Sequence, residues 1–538
     1  MQTGSLGMSH IDPYKSSPRR ALRRLSSRLP LSLMLVSTML AIPELALAKS
    51  APLAENHNPA IAPATKEHAC YVDGIAEKVL CGKVSVAENP AKPDGKQLDI
   101  HYVILPAIKN ANPEQALLAI AGGPGQSAID NAAGFDRMLK EVRQFKDVLL
   151  IDQRGTGKSH LLGCEQLTTL DAFAINDELQ DPKAEMAKCL AKIDADVSQY
   201  GSLNAIADFE AVRQQAGYKQ LDLYGISYGS RMAQVYMKQY PQALRTVTLD
   251  GVVPMQQNII VISDAIARAT HLMLSDCEQD ALCHQRFPNL SRQLIQVEAE
   301  LKLKPKVMTI MQPKSGEPAE FTLTASKFLG TIRMALYSPT TRALLPYAIE
   351  QAAAGNVQPL LGLHALTLDG AGIAMGMHAS VVCAEDIPFI TDELAAQANA
   401  TPTGKSMLHA LTLACGAWQV PAVTPEFHQA VASDIPTLLL SGKLDPATPP
   451  SWGELAAVNL TNAQHLVAPY AGHGVAYQSC ANELIATLVK QGNLTALDSQ
   501  CLQKDVRRSF YLNANSLETL SAPKPSTAAT STNAGVTP

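Results

Sequence analysis

The sequence predicts an α/β protein: a mostly parallel sheet with helices around it, interrupted by an inserted, mainly helical cap. Three observations lead there. First, short apolar runs each end in a glycine or polar turn: 117–120 before Ala121 and Gly122, 148–151 before Asp152, 221–224 before Gly225, 247–249 before Asp250, and 436–440 before Ser441. Uninterrupted apolar runs of this length are expected of strands covered on both faces. Second, helical spacing lies between them, as in 204–215 before the Leu221 run and 230–240 after Gly229. Third, 254–433 breaks the rhythm. It is longer, more helical and carries four cysteines, and the strand pattern resumes at Ile435.

The chain has 538 residues, enough for more than one domain. Its 46% hydrophobic content allows a large core, and a net charge of −5 argues against nucleic acid or an anionic membrane as partner. The basic residues that do cluster, Arg19, Arg20, Arg23, Arg24 and Arg28, precede an apolar run at 31–42 and a small-x-small site at Ala46-Leu47-Ala48. That is the layout of a secretory signal peptide, too short to span a bilayer comfortably. The expected order is signal 1–48, flexible lead-in 49–69, core 70–253, cap 254–433, core 434–520, and a Ser-, Thr- and Pro-rich tail 521–538. No stable membrane insertion is expected of the mature chain.

All ten cysteines follow the proposed cleavage site, and none forms a C-x-x-C pair. Metal-site spacing is therefore missing, and an oxidising compartment would pair them. Joining sequence neighbours gives 70–81, 164–189, 277–283, 383–415 and 480–501. No metal or organic cofactor is implied.

Gly225-Ile226-Ser227-Tyr228-Gly229 is a G-x-S-x-G pentapeptide set between a strand and a helix, the context of a nucleophile elbow and hence of the α/β-hydrolase fold. A serine hydroxyl needs a base, and the fold's chain order is serine, acid, histidine. Asp445 follows the 436–440 run. His473, between Gly472 and Gly474, comes 28 residues later, about one helix–strand unit. His465 is the rival base, but it opens a strand rather than following one. Asp434 is the rival acid, but it precedes its strand. Ser227, Asp445 and His473 are thus the candidate triad. The glycines after the first run let backbone amides approach a ligand, so Gly122 or Gly123, together with the amide of Tyr228, would form an oxyanion hole. Gly157-Lys158-Ser159 resembles the end of a phosphate-binding loop, but its first glycine is replaced by Asp152.

Taken together, Gly122-Gly123-Pro124-Gly125, Asp152-Gln153-Arg154-Gly155-Thr156-Gly157, the elbow, Asp445-Pro446 and Gly472-His473-Gly474 resemble the prolyl and tripeptidyl aminopeptidase group of α/β-hydrolases. Ala121 departs from the histidine usual in the intracellular prolyl enzymes, which points to the secreted tripeptidyl-type branch. The resemblance implies an exopeptidase acting on peptides with a free N-terminus. It also implies that Asp152 and Arg154 are structural, the arginine bracing the glycine loop. In the segment 381–386, it implies that a carboxylate holds the substrate's amino group, Glu385 first and Asp386 second. An esterase or lipase with the same triad, or a binding module on the same fold, are the competing readings.

Overall fold

The computed structural model describes residues 67–517, apart from 165–168, 314, 371 and 496. The expected signal peptide, most of the lead-in and the tail lie outside the described residues. The strands in chain order are β1 (His68–Cys70), β2 (Val79–Ala87), β3 (Gln97–Leu105), β4 (Gln115–Ile120), β5 (Asp147–Ile151), β6 (Gln220–Ile226), β7 (Leu244–Asp250), β8 (Lys306–Met311), β9 (Pro318–Leu323), β10 (Thr437–Gly442) and β11 (Ala463–Ala468). Nine of them form one sheet in the order β1-β2-β3-β5-β4-β6-β7-β10-β11. From β5 to β11 every pairing is parallel, while β1, β2 and β3 pair antiparallel along one side.

Each apolar run expected to be a strand is one. The antiparallel side was less legible because its faces differ. In β2, Val84 and Val86 point into one core, while Lys83 and Ser85 do not, so no continuous apolar run marks it. The lead-in also ends sooner than expected, since His68 already pairs with Cys81 in β1.

The central strands alternate between two cores. Leu118, Ile120, Leu149, Leu223, Leu249 and Leu439 face one side, where the helices Ser202–Gln215 and Tyr228–Gln239 pack. Leu117, Ala119, Leu150, Tyr224, Leu438 and Leu440 face the other, under the helix Ala481–Gln491.

The insertion between β7 and β10 has a separate core built on helices and the β8–β9 hairpin. Two stretches outside 254–433 complete it. Phe173 is wholly buried there, and Lys327 Nζ donates to the carbonyls of Phe173 and Ile175. Phe510 is also wholly buried there, and the amide of Tyr511 donates to Ala343 O at 3.0 Å. The cap thus draws on residues that the sequence pattern assigns to the core on either side. Their anchors are single aromatics, too sparse to produce a periodic signal.

All five disulfides are Cys70–Cys81, Cys164–Cys189, Cys277–Cys283, Cys383–Cys415 and Cys480–Cys501, as neighbour pairing predicts.

The D-Q-R-G segment proves structural, with a division of labour that differs from the expectation. It is Asp152 that braces the turn after the glycine loop, accepting from Ser127 Oγ at 2.6 Å and Ile129 N at 3.1 Å. Arg154 turns away from that loop. It forms a buried bidentate pair with Asp208 at 2.6 and 2.7 Å and donates to the carbonyls of Glu88 and Gln199. Replacing Arg154 with Met would strand a buried carboxylate and two carbonyls. Such a break costs about 3–5 kcal/mol, so the variant's midpoint in urea should fall accordingly. An unchanged midpoint would show the pair to be dispensable.

Candidate active site

Ser227 sits between β6 and the helix Tyr228–Gln239 with φ 57° and ψ −126°. A non-glycine residue in this region stores about 1–3 kcal/mol of strain. The turn survives because its neighbours are small. A Cβ on Gly225 would lie 2.2 Å from Gly229 O, and one on Gly229 would lie 2.3 Å from Ile120 O. The glycine loop after β4 reaches the same place: a Cβ on Gly122 would sit 3.0 Å from Ser227 Cβ. The amides of Gly122 and Gly123 have no backbone acceptor among the described residues. Tyr228 is the first residue of its helix, where an N–H has no partner within the helix. Gly122 thus borders Ser227, and all three candidate oxyanion donors have hydrogens to give.

Asp445 lies three residues past the end of β10 and is wholly buried. Its Oδ1 accepts from the amides of Ala447 at 2.7 Å and Thr448 at 2.9 Å. Its Oδ2 accepts from Thr448 Oγ1 at 2.7 Å and meets His473 Nδ1 at 2.9 Å. With Nδ1 engaged, Nε2 is the ring nitrogen that remains to exchange a proton with a nucleophile. The histidine loop is also clamped by the cap. His473 N donates to Tyr337 O at 2.9 Å, and the Tyr337 ring meets the imidazole edge-on, 4.9 Å between centroids.

One contributor escaped the sequence reading. Asp250 ends β7 and is wholly buried. Its carbonyl accepts from Ser227 N at 2.9 Å. Its carboxylate accepts from Val475 N at 2.7 Å, Ala476 N at 2.9 Å and Tyr224 Oη at 2.8 Å. It joins the nucleophile's turn to the loop carrying His473. Its signal was there, an aspartate closing an apolar strand as Asp152 does.

The rivals His465 and Asp434 lie elsewhere. His465 Nε2 bonds Ser441 Oγ at 2.9 Å, inside the sheet and opposite Leu439. Asp434 lies before β10, at the far end of the strand from Ser227, and its carbonyl accepts from Asn462.

The two cap carboxylates are treated differently. Asp386 is committed to structure: Arg231 Nη1 lies 3.3 Å from both its oxygens, and Ile259 N donates to Oδ1 at 2.9 Å. Glu385 closes the helix Met375–Glu385 and is also wholly buried. Its oxygens accept from Ser202 N and Ser202 Oγ, both at 2.8 Å, and Ser202 Oγ lies 2.7 Å from Tyr228 Oη. Glu385 is thereby linked through one hydroxyl to the side chain that follows the nucleophile.

Two family models match the chain, "alpha/beta hydrolase fold" over residues 115–307 and "TAP-like protein" over 400–501. The serine protease Hip1 of Mycobacterium tuberculosis is 24% identical, across 78% of this chain and 87% of that one. The tripeptidyl aminopeptidase of Streptomyces lividans is 22% identical, across 80% and 85%. This chain is an α/β-hydrolase with a TAP-like C-terminal part. It is a serine hydrolase, distantly related to serine proteases and tripeptidyl aminopeptidases.

Electrostatics fit that chemistry. Burial alone would lower the proton affinity of His473, but the charge and hydrogen bond of Asp445 outweigh it and raise the pKa above the ordinary 6.5. Burial would likewise raise the pKa of Asp445, yet His473 and the two amides hold it below 3.8. The pair is an ionised carboxylate beside a strengthened base. A base works only when unprotonated. Hydrolysis of a small neutral ester should therefore rise with pH along a single-proton limb whose midpoint in kcat/KM lies above 6.5. In Asp445→Asn that midpoint should fall, with a rate loss of about 10⁴-fold. A wild-type midpoint at or below 6.5 would contradict the pairing.

Proposed function

We propose that this serine hydrolase is an exported exopeptidase that cleaves peptides near a free N-terminus. Ser227 Oγ attacks the scissile carbonyl while His473 Nε2 takes its proton. The amides of Gly123 and Tyr228, with Gly122 alongside, hold the resulting oxyanion. Collapse breaks the C–N bond, and His473 returns the proton to the departing amine. Water, deprotonated by the same base, then releases the acyl group from Ser227. Asp445 orients His473 and stabilises its charged form. The five disulfides support an oxidising, extracytoplasmic destination.

The observation carrying the exopeptidase reading is Glu385, a wholly buried carboxylate with no ion-pair partner among the described residues, linked through Ser202 to Tyr228. Burial pushes its pKa up to about 7, against the opposing pull of the Ser202 hydrogen bonds and the Arg231 charge. Each oxygen still has a lone pair to offer. An α-ammonium that displaces the Ser202 hydroxyl from Oε2 would supply the missing cation and restore the ionised form. An N-acetylated substrate cannot.

The test compares kcat/KM for free and N-acetylated tripeptidyl and aminoacyl amides. The wild type should prefer the free amine, and Glu385→Gln should reduce that preference by about 10- to 1,000-fold, the value of a charge-assisted hydrogen bond. Asp386→Asn, which unpairs Arg231, should not reduce it selectively. The preference should also weaken below about pH 7, where Glu385 takes up a proton, and again above about pH 8, where the α-amino group loses one. If Glu385→Gln keeps the wild-type preference, this carboxylate is not the anchor.

A further inference from the structure

Among the described residues, most buried cations face a carboxylate. Arg154 is paired with Asp208, Arg231 with Asp386, Arg342 with Asp276, and Lys146 with Asp222. Lys327, without a carboxylate, donates to three carbonyls. Arg333 differs. It is half-buried on the helix Ala325–Ala335, and its Nε, like those of Arg231, Arg245 and Arg342, is sealed from water with no hydrogen-bond partner. Its side chain forms no ion pair or hydrogen bond with any described residue.

Its place gives the vacancy meaning. Arg333 lies in the last turn of its helix, four residues before Tyr337. Tyr337 is the residue whose carbonyl and ring both rest on His473. The fit there is close: a Cβ on Gly472 would lie 2.4 Å from Tyr337 O. The positive charge of Arg333 is felt by His473 and by His378, where it opposes protonation. His378 Nδ1 lies 3.2 Å from the carbonyl of Pro124 in the glycine loop. An unmatched guanidinium thus stands close to the base and to the loop that faces the nucleophile.

We propose that Arg333 binds the α-carboxylate of the amino acid released from the substrate. This rests on the peptidase reading above. His473 protonates the leaving nitrogen, and in a one-residue leaving group a single carbon separates that nitrogen from the carboxylate. An anion at that position is the substrate charge nearest the base. A guanidinium presents paired donors that match a carboxylate. The favoured substrates are then short peptides ending one residue beyond the scissile bond, gripped at both ends. A longer or amidated leaving group would leave Arg333 unmatched.

The experiment measures kcat/KM for a panel of di- to tetrapeptides, each as the free acid and as the C-terminal amide, with the full mature enzyme. The wild type should favour the acid by about 10- to 100-fold in its best pair, the range expected of a charge-assisted contact. Arg333→Met should bring the acid-to-amide ratio close to one, and Arg333→Lys should keep an intermediate ratio. Hydrolysis of a small neutral ester by each preparation reports how much assembled triad it contains. A merely structural arginine would lower both peptide rates together and leave the ratio in place, which would overturn the proposal. So would a wild-type ratio near one. If Arg333→Met proves inactive on the ester, the lysine variant and the wild-type ratio decide. If the wild type hydrolyses the ester and neither peptide form, the peptidase reading fails and this proposal falls with it. If it cleaves acid and amide equally, only the role of Arg333 fails.

Discussion

The buried carboxylate of Asp250 is the interaction on which the site depends. Its main chain holds the amide of Ser227, and its side chain holds two successive amides just after His473. The proposed nucleophile and base, which arrive from strands far apart in sequence, are thereby fixed to one residue. The strained dihedrals of Ser227 need such over-determination, since a residue with positive φ relaxes wherever its surroundings allow it. Desolvation raises the proton affinity of Asp250, while the amides and the Tyr224 hydroxyl oppose that rise. The donors that oppose the rise are the groups it positions.

The cap is the second constraint. It carries Tyr337, which seats His473, and also Arg333, Glu385 and Asp386; the helix of Arg333 packs in the cap core, whereas the helix ending in Glu385 packs against the sheet core through Met377 and Val381. The disulfide Cys383–Cys415 ties the helix that ends in Glu385 to the helix Pro402–Ala417. Cys164–Cys189 fastens the stretch after the D-Q-R-G segment, and Trp418, wholly buried, packs between the two bridges. Cross-links of this kind limit how far the ends of a recognition surface can drift relative to the triad.

Much of this was legible in the sequence because the physics was local. Parallel strands covered on both faces read as apolar runs, and the elbow's glycines are forced by contacts of 2.2 and 2.3 Å to main-chain oxygens. Neighbouring cysteines paired as their spacing suggested. What stayed hidden depends on contacts distant in sequence. Arg154 was read as a brace for the glycine loop, but its partner Asp208 sits on a helix whose sequence gives no sign of it. Phe173 and Phe510 join the cap from outside the insertion through single buried rings. Asp250 looked like one more strand-ending aspartate. Arg333, with neither motif nor periodic partner, stands out only against the paired buried arginines Arg154, Arg231 and Arg342.

The dependence of the triad on Asp250 can be measured directly as the second-order rate at which a fluorophosphonate labels Ser227 in Asp250→Ala, compared with the wild type. The disulfide map and far-UV circular dichroism of the variant serve as controls for the fold. With the carboxylate gone, the histidine loop and the elbow are no longer held in register. Misplacement of about 1 Å costs on the order of 100-fold in rate, so labelling should slow by about that factor in a chain that keeps its five disulfides. Labelling of Ser227 at the wild-type rate would contradict the account.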